Sequence, residues 1–172
     1  MPVRPVTWTD AQVRDILTLT DLSLEFGAAV DRRDWPRVAG LFTEDARIAF
    51  PEGTPEIVGG GGLVASMRTA WDALDASQSL HANQQFEVDG DRASGTFYAH
   101  VTCVRESAHG GRLFTYGGAW HDEYRRTEAG WRVTRRVFRQ IWGRGNPELV
   151  GNRLHSDEMP PAARAQDGDG VR

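Results

Sequence analysis

Gly95-Thr96-Phe97-Tyr98-Ala99-His100-Val101-Thr102-Cys103 sets small or apolar side chains at its odd positions against more polar ones at its even positions. That period of two belongs to a β-strand with one apolar face and one more polar face. On either side the period holds from about residue 80 to 142 and predicts four strands, roughly 80–88, 92–106, 111–126 and 130–142. Between them lie Asp89-Gly90, His109-Gly110-Gly111 and Glu128-Ala129-Gly130. Each supplies the glycine that a tight hairpin needs, so the strands are expected to pair antiparallel.

The chain before residue 80 has the longer period of helices. Thr9 or Asp10 caps a predicted helix that runs to about Arg33, with Val13, Ile16, Leu17, Leu19, Leu22, Leu24, Phe26 and Val30 as its apolar set. That set is too wide for a free surface helix, so this helix packs on something large. Asp34-Trp35-Pro36 reads as an N-cap and helix start, with the proline where its missing N–H is harmless. A short helix over 35–42 then leads through Thr43-Glu44-Asp45 to a brief strand over 46–50, ended by Pro51. Gly59-Gly60-Gly61-Gly62 lacks the lysine and the preceding buried strand of a phosphate-binding loop and reads as a hinge into a third helix over 63–74. Residues 77–79 are expected to close the helical layer. Helices first and a long meander afterwards predict an α+β domain: a cone of three N-terminal helices packed into a curved, mainly antiparallel sheet. Its expected span is 10–142, after an arm at 1–9 and before a largely mobile extension at 143–172 that is rich in Gly, Pro, Asp and Ala.

Composition removes several function classes. The chain of 172 residues carries a net charge of -4, which gives no basic field for nucleic acid, and no block of like charge suggests an anionic membrane surface. It contains no lysine, which excludes a lysine Schiff base. Cys103 is the single cysteine and has no internal disulfide partner; no signal-peptide core or membrane-length apolar run is present, and the cytoplasm is the simplest address. No cofactor motif or convincing metal set is visible, because His121, Asp122 and Glu123 are consecutive on a strand and point to alternate faces. Six tryptophans and seven phenylalanines suit either a core or a pocket for a hydrophobic small molecule.

Asp31 is the anomaly of the first helix. Stepping back from it gives Gly27 or Ala28, Leu24, Thr20 and Ile16, so its carboxylate is expected to face inward, where it needs a partner or water. His81, at the start of the first long strand, is the nominated partner. A carboxylate on one ring nitrogen would fix the tautomer and make the other nitrogen a general base, although a histidine merely satisfied by a neighbour has the same sequence pattern. The expected pocket takes Phe26, Phe50, Met67 and Trp71 from the helical half. From the strands it takes Phe97, Cys103, Phe114, Tyr116 and Trp120. Tyr116 is a candidate donor to a departing group, and Arg136 or Arg139 of the last strand a candidate for an anionic group.

Asp31-Arg32-Arg33-Asp34-Trp35, His81, Tyr116-Gly117-Gly118-Ala119-Trp120-His121-Asp122-Glu123-Tyr124 and Gly130-Trp131-Arg132-Val133 together resemble the SnoaL-like branch of the nuclear transport factor 2 superfamily, over about residues 10–142. Scytalone dehydratases and hexachlorocyclohexane dehydrochlorinases are the nearest in pattern, and their catalytic Asp and His fall at Asp31 and His81. Val30, Cys103, Gly118 and Trp120 stand where scytalone dehydratase carries a tyrosine, a second histidine, a serine and an asparagine, which implies a drier, bulkier pocket. The resemblance implies a cofactor-independent lyase of the dehydratase type, with His81 as general base oriented by Asp31. The same superfamily also contains isomerases, cyclases and non-catalytic binding or subunit proteins. It further implies a homodimer or homotrimer built on the open sheet face of Tyr98, His100 and Thr102.

Overall fold

The computed structural model describes residues 8–50, 55–151 and 154. Pro51, the arm before residue 8 and the tail from 155 lie outside the described residues. Six strands form one sheet in the order β2-β1-β6-β5-β4-β3. The meander consists of β3 (Ala76–Asp89), β4 (Arg92–Val104), β5 (Leu113–Thr127) and β6 (Gly130–Gly145), each antiparallel to the next. β1 (Phe42–Ala49) lies parallel to β6, and the two-residue β2 (Ile57–Val58) pairs antiparallel with β1. With helices α1 (Asp10–Asp31), α2 (Trp35–Gly40) and α3 (Gly59–Asp72), the domain is α+β. Among the described residues no helix is long and apolar enough to cross a membrane.

Local chemistry accounts for the helix starts. Thr9 and Gln12 make a reciprocal capping box at the head of α1, and Asp34 accepts the Arg37 N–H at 3.1 Å ahead of Pro36. The glycine run is not a hinge before α3: all four glycines lie in the helix itself. Close approach explains the first two, since a Cβ at Gly60 would stand 2.2 Å from the Ala39 carbonyl oxygen and one at Gly59 would stand 2.7 Å from that of Glu44. The second helix ends at Gly40, and Phe42 already belongs to β1, which pairs with β6 there. α1 turns only part of its apolar set inward. Leu19, Leu22, Phe26 and Val30 are buried, whereas Val13, Leu17 and Leu24 are exposed.

β3 starts at Ala76, so residues 77–79 are strand rather than a closing turn, and Ser77, Ser79 and His81 share a face. A bulge between Ala82 and Gln85, with Asn83 left-handed at φ 55°, shifts the phase of the strand immediately after His81. The domain also runs past residue 142. β6 continues to Gly145, Asn146 caps a 3-10 turn at Pro147–Val150, and Leu149, Val150 and Leu154 are buried. Of the extension over 143–172 expected to be largely mobile, residues 143–151 and 154 are described and take these positions; the remainder lies outside the described residues.

In the core, Arg136 of β6 faces Asp122 of β5 as a direct register partner. Its Nε donates to Oδ1 of Asp122 at 2.8 Å and its Nη2 to Oδ2 at 2.5 Å, while the Tyr124 hydroxyl donates to Oδ2 at 2.9 Å. The guanidinium carbon lies 4.2 Å from the ring centroid of Phe26, 4.9 Å from Trp120 and 5.1 Å from Phe42. Aromatic faces thus cover a cation that water does not reach.

The helix-entry geometry is testable with two neighbouring glycines. Gly60→Ala is expected to destabilise the fold by about 1–3 kcal/mol, because its methyl meets rigid backbone. Gly61→Ala, where a Cβ would meet nothing within 4 Å, is expected to be neutral or stabilising by up to about 1 kcal/mol. Urea denaturation of the two variants measures both.

Candidate active site

His81 approaches α1 closely because residue 27 has no side chain: a Cβ on Gly27 would stand 3.1 Å from the imidazole Cε1. The ring passes over that gap and places Nδ1 2.7 Å from the backbone carbonyl of Ser23. A carbonyl only accepts, so Nδ1 carries the hydrogen, and the neutral ring holds its lone pair on Nε2. Phe26 stacks on the ring at 6.2 Å and Phe97 lies tilted against it at 5.1 Å. Burial lowers the pKa of His81 below its ordinary value. The Ser23 carbonyl and the charges of Asp122 and Asp31 oppose that shift, and the charge of Arg136 adds to it. A neutral base at physiological pH results.

The carboxylate nominated to orient His81 is engaged elsewhere. Asp31 Oδ1 accepts from the hydroxyls of Ser77 at 2.8 Å and Ser79 at 3.0 Å, and Oδ2 accepts from the Ser79 N–H at 2.7 Å. Arg33, left-handed at φ 60°, swings its guanidinium under the same corner. There it donates to the carbonyls of Val30, Asp31 and Trp71 and to the Ser77 hydroxyl, all between 2.9 and 3.0 Å. Asp31 and His81 therefore lack the direct hydrogen bond expected of them. Asp31 clamps the strand that carries His81, two and four residues upstream of the ring, and a helix carbonyl orients the ring itself.

Beside His81 lies an apolar cavity of about 30 Å³. That is room for one or two waters, so a larger ligand displaces side chains on entry. Of the expected lining, Phe26, Phe50, Met67, Trp71, Tyr116 and Trp120 reach the cavity together with His81. Phe97, Cys103 and Phe114 are buried but do not line it. Phe97 packs against the His81 ring, Phe114 stacks on Tyr116 at 5.4 Å, and burial pushes the Cys103 thiol up to about 12. Arg136 sits behind the Phe26 and Trp120 walls. Arg139 is on the opposite, exposed face, as the alternation of β6 requires once Arg136 and Phe138 point inward.

Sequence reasoning missed Phe138, Ser79, Val150 and Leu154, which also line the cavity. The serines had a usable signal, since positions 77, 79 and 81 follow a period of two. Tyr116 is buried, and burial raises its hydroxyl pKa well above the ordinary value, so it remains a protonated donor.

The lowered pKa of His81 fixes the sign of a pH effect. Between its folded value and about 6.5, the unfolded chain binds more protons than the folded one. Stability is therefore expected to be fully present above that window and to fall as pH drops through it, and His81→Gln should remove this part of the slope. Urea titrations across pH test it, and ¹⁵N spectra of the imidazole should find the hydrogen on Nδ1. An Nε2–H tautomer would contradict the Ser23 contact.

Comparison with known proteins places the chain in a family. A model of the SnoaL-like domain matches residues 11–137. An uncharacterized protein of Mycobacterium tuberculosis is 27% identical over 135 residues, covering 74% of this chain and 86% of that one. The crystal structure of a proposed aromatic ring hydroxylase from Novosphingobium aromaticivorans superposes with a TM-score of 0.72 at 27% identity, covering 80% of this chain and 97% of that chain. Hexachlorocyclohexane dehydrochlorinase LinA-type3 from Novosphingobium barchaimii shares the fold, with a TM-score of 0.69 at 19% identity over 80% of this chain and 94% of its own. Because that model matches most of its length, residues 11–137, the chain belongs to the SnoaL-like domain family.

Proposed function

We propose that the protein is a cofactor-independent lyase of the dehydratase type, acting on a hydrophobic small molecule in the cytoplasm. One observation carries the reading: the neutral His81, its Nδ1 hydrogen held by the Ser23 carbonyl, leaves Nε2 as the base beside an apolar cavity. In this reading the helices and sheet enclose a cone with the base deep inside it. Nε2 removes a proton from carbon, the electron pair of that C–H bond forms the new double bond, and the bond to the leaving group breaks. Tyr116, still protonated, donates a hydrogen bond to the departing group, and the proton held on the imidazolium leaves with that group. Arg136, already paired with Asp122, contributes positive potential from behind the Phe26 and Trp120 walls. Asp31 contributes through the strand it clamps and through its charge. Isomerisation or cyclisation would use the same first step, and analysis of the product separates them from elimination.

Once a substrate is found, His81→Ala is expected to lower kcat by about two to four orders of magnitude while the fold is retained. Asp31→Asn keeps the carboxylate's shape and is expected to cost less. The kcat/KM profile should be flat above neutrality and fall at acid pH as His81 protonates. Parent rates in both variants would refute the catalytic reading and leave a ligand-binding protein.

The outer sheet face is proposed as the contact of a homodimer or homotrimer. Leu80, Tyr98, Leu113 and Ile141 are each more than half exposed on the described strands. Trp142 crosses Gly117 to meet His100 at 5.3 Å. Light scattering at micromolar concentration should give a mass of two or three chains, and Tyr98→Glu should return a monomer.

A further inference from the structure

Three side-chain donors among the described residues are buried with no hydrogen-bond partner: Nε1 of Trp71, Nε1 of Trp120 and Nη1 of Arg136. Leaving such a group unpaired costs about 1–3 kcal/mol, and folded proteins keep few of them. The two indoles belong to walls of one cavity and come from different layers, Trp71 from α3 and Trp120 from β5. The other polar groups of that wall are limited. Ser79 has both its hydroxyl and its N–H committed to Asp31, Tyr116 offers another donor, and His81 Nε2 is the available side-chain acceptor. The cavity therefore asks for a ligand that accepts hydrogen bonds.

We propose that Trp71 and Trp120 form a two-donor subsite for an uncharged carbonyl oxygen, and that the ligand is an apolar cyclic carbonyl compound. The absence of charge follows from the surroundings. Among the described residues no charged side chain lines the cavity, and the guanidinium behind it is already paired with Asp122 through two hydrogen bonds. A buried anion would lose several kcal/mol of hydration there with no free counter-charge, a loss that a ketone or ester does not suffer. The rings of Phe26, Phe50, Trp120 and Phe138 favour a flat or cyclic body.

The subsite rests on the base reading of His81 and deepens it, because the carbonyl also acidifies the neighbouring carbon. Nε2 takes the α-proton, the C–H electron pair becomes the C=C of an enolate, and the carbonyl π pair moves onto oxygen. The two indole N–H groups receive that oxygen as its charge develops. The proton stays on the imidazolium until it returns to carbon or leaves with a departing group.

1-Indanone and its hydrocarbon counterpart indane test the proposal on the full chain. Calorimetry or NMR titration is expected to find 1-indanone bound about tenfold more tightly or better, as two hydrogen bonds would give. Trp71→Phe and Trp120→Phe should each reduce that preference, read as the ratio of the two affinities within the same variant, about two- to tenfold. In ¹H–¹⁵N spectra the indole resonances of Trp71 and Trp120 should move with 1-indanone and stay with indane, which keeps the test valid should either variant fail to fold. Equal affinity for the two probes, or indole resonances that do not move, would overturn the subsite. The base is read separately, as His81-dependent exchange of the α-protons of 1-indanone in D₂O: binding retained without exchange refutes the base and leaves the subsite standing.

Discussion

The buried pair of Arg136 and Asp122 is the interaction on which the interior is arranged. Both side chains are almost wholly withdrawn from water. Removing one partner of such a pair typically costs about 3–5 kcal/mol, because the survivor is left as an uncompensated charge. The protein meets that demand from several elements. Tyr124 donates to the carboxylate, while Phe26 of α1, Phe42 of β1 and Trp120 of β5 turn ring faces toward the guanidinium. Those contacts fix α1 and β1 relative to the meander, and two of the same rings form walls of the cavity.

His81 depends on that arrangement at one remove. Phe26 and Phe97 hold its ring, and both also lie within 6 Å of the Arg136 guanidinium carbon. The cation disfavours protonation of the imidazole from the far side of these rings. Base strength and ring orientation thus have different sources, burial together with Arg136 for the first and the Ser23 carbonyl for the second. Asp31 is a third part, joining the end of α1 to the edge strand β3 through Ser77 and Ser79. Because β3 is an edge strand, that clamp and the Arg33 contacts supply what a further neighbouring strand would otherwise provide.

The C-terminal segment belongs to the same structure. Val150 and Leu154 line the cavity, and Asn146 holds the β4–β5 connection by donating to the carbonyls of His109 and Gly111. A composition rich in Gly, Pro and Asp conceals this, because three apolar residues among many polar ones carry no period. The cavity they help to close is narrow and largely apolar, and among the described residues the indole N–H groups of two of its walls, Trp71 and Trp120, are buried without a partner. The strength of each such group rises as water is excluded.

The sequence by itself determined what depends on neighbours along the chain. The period of two specified the meander and placed Phe97, Ala99, Val101 and Cys103 on the inner face, glycines located the hairpins, and Thr9 and Asp34 marked helix starts. Pattern also singled out Asp31 and His81 as unusual polar residues, although β3 begins at Ala76 and sets His81 inside the strand rather than at its start. Only the tertiary structure decided who meets whom. The partner of His81 is a backbone carbonyl 58 positions away, and a carbonyl has no residue type to read. Gly27 became legible as the gap for an imidazole only when β3 was laid on α1. The glycines at 59–62 look like a hinge in one dimension, and in three Gly59 and Gly60 are a close helix contact. Arg136 and Arg139 differ by three positions on a strand, and the period alone says they face opposite ways; which of them is inside was settled by Asp122 across the ladder.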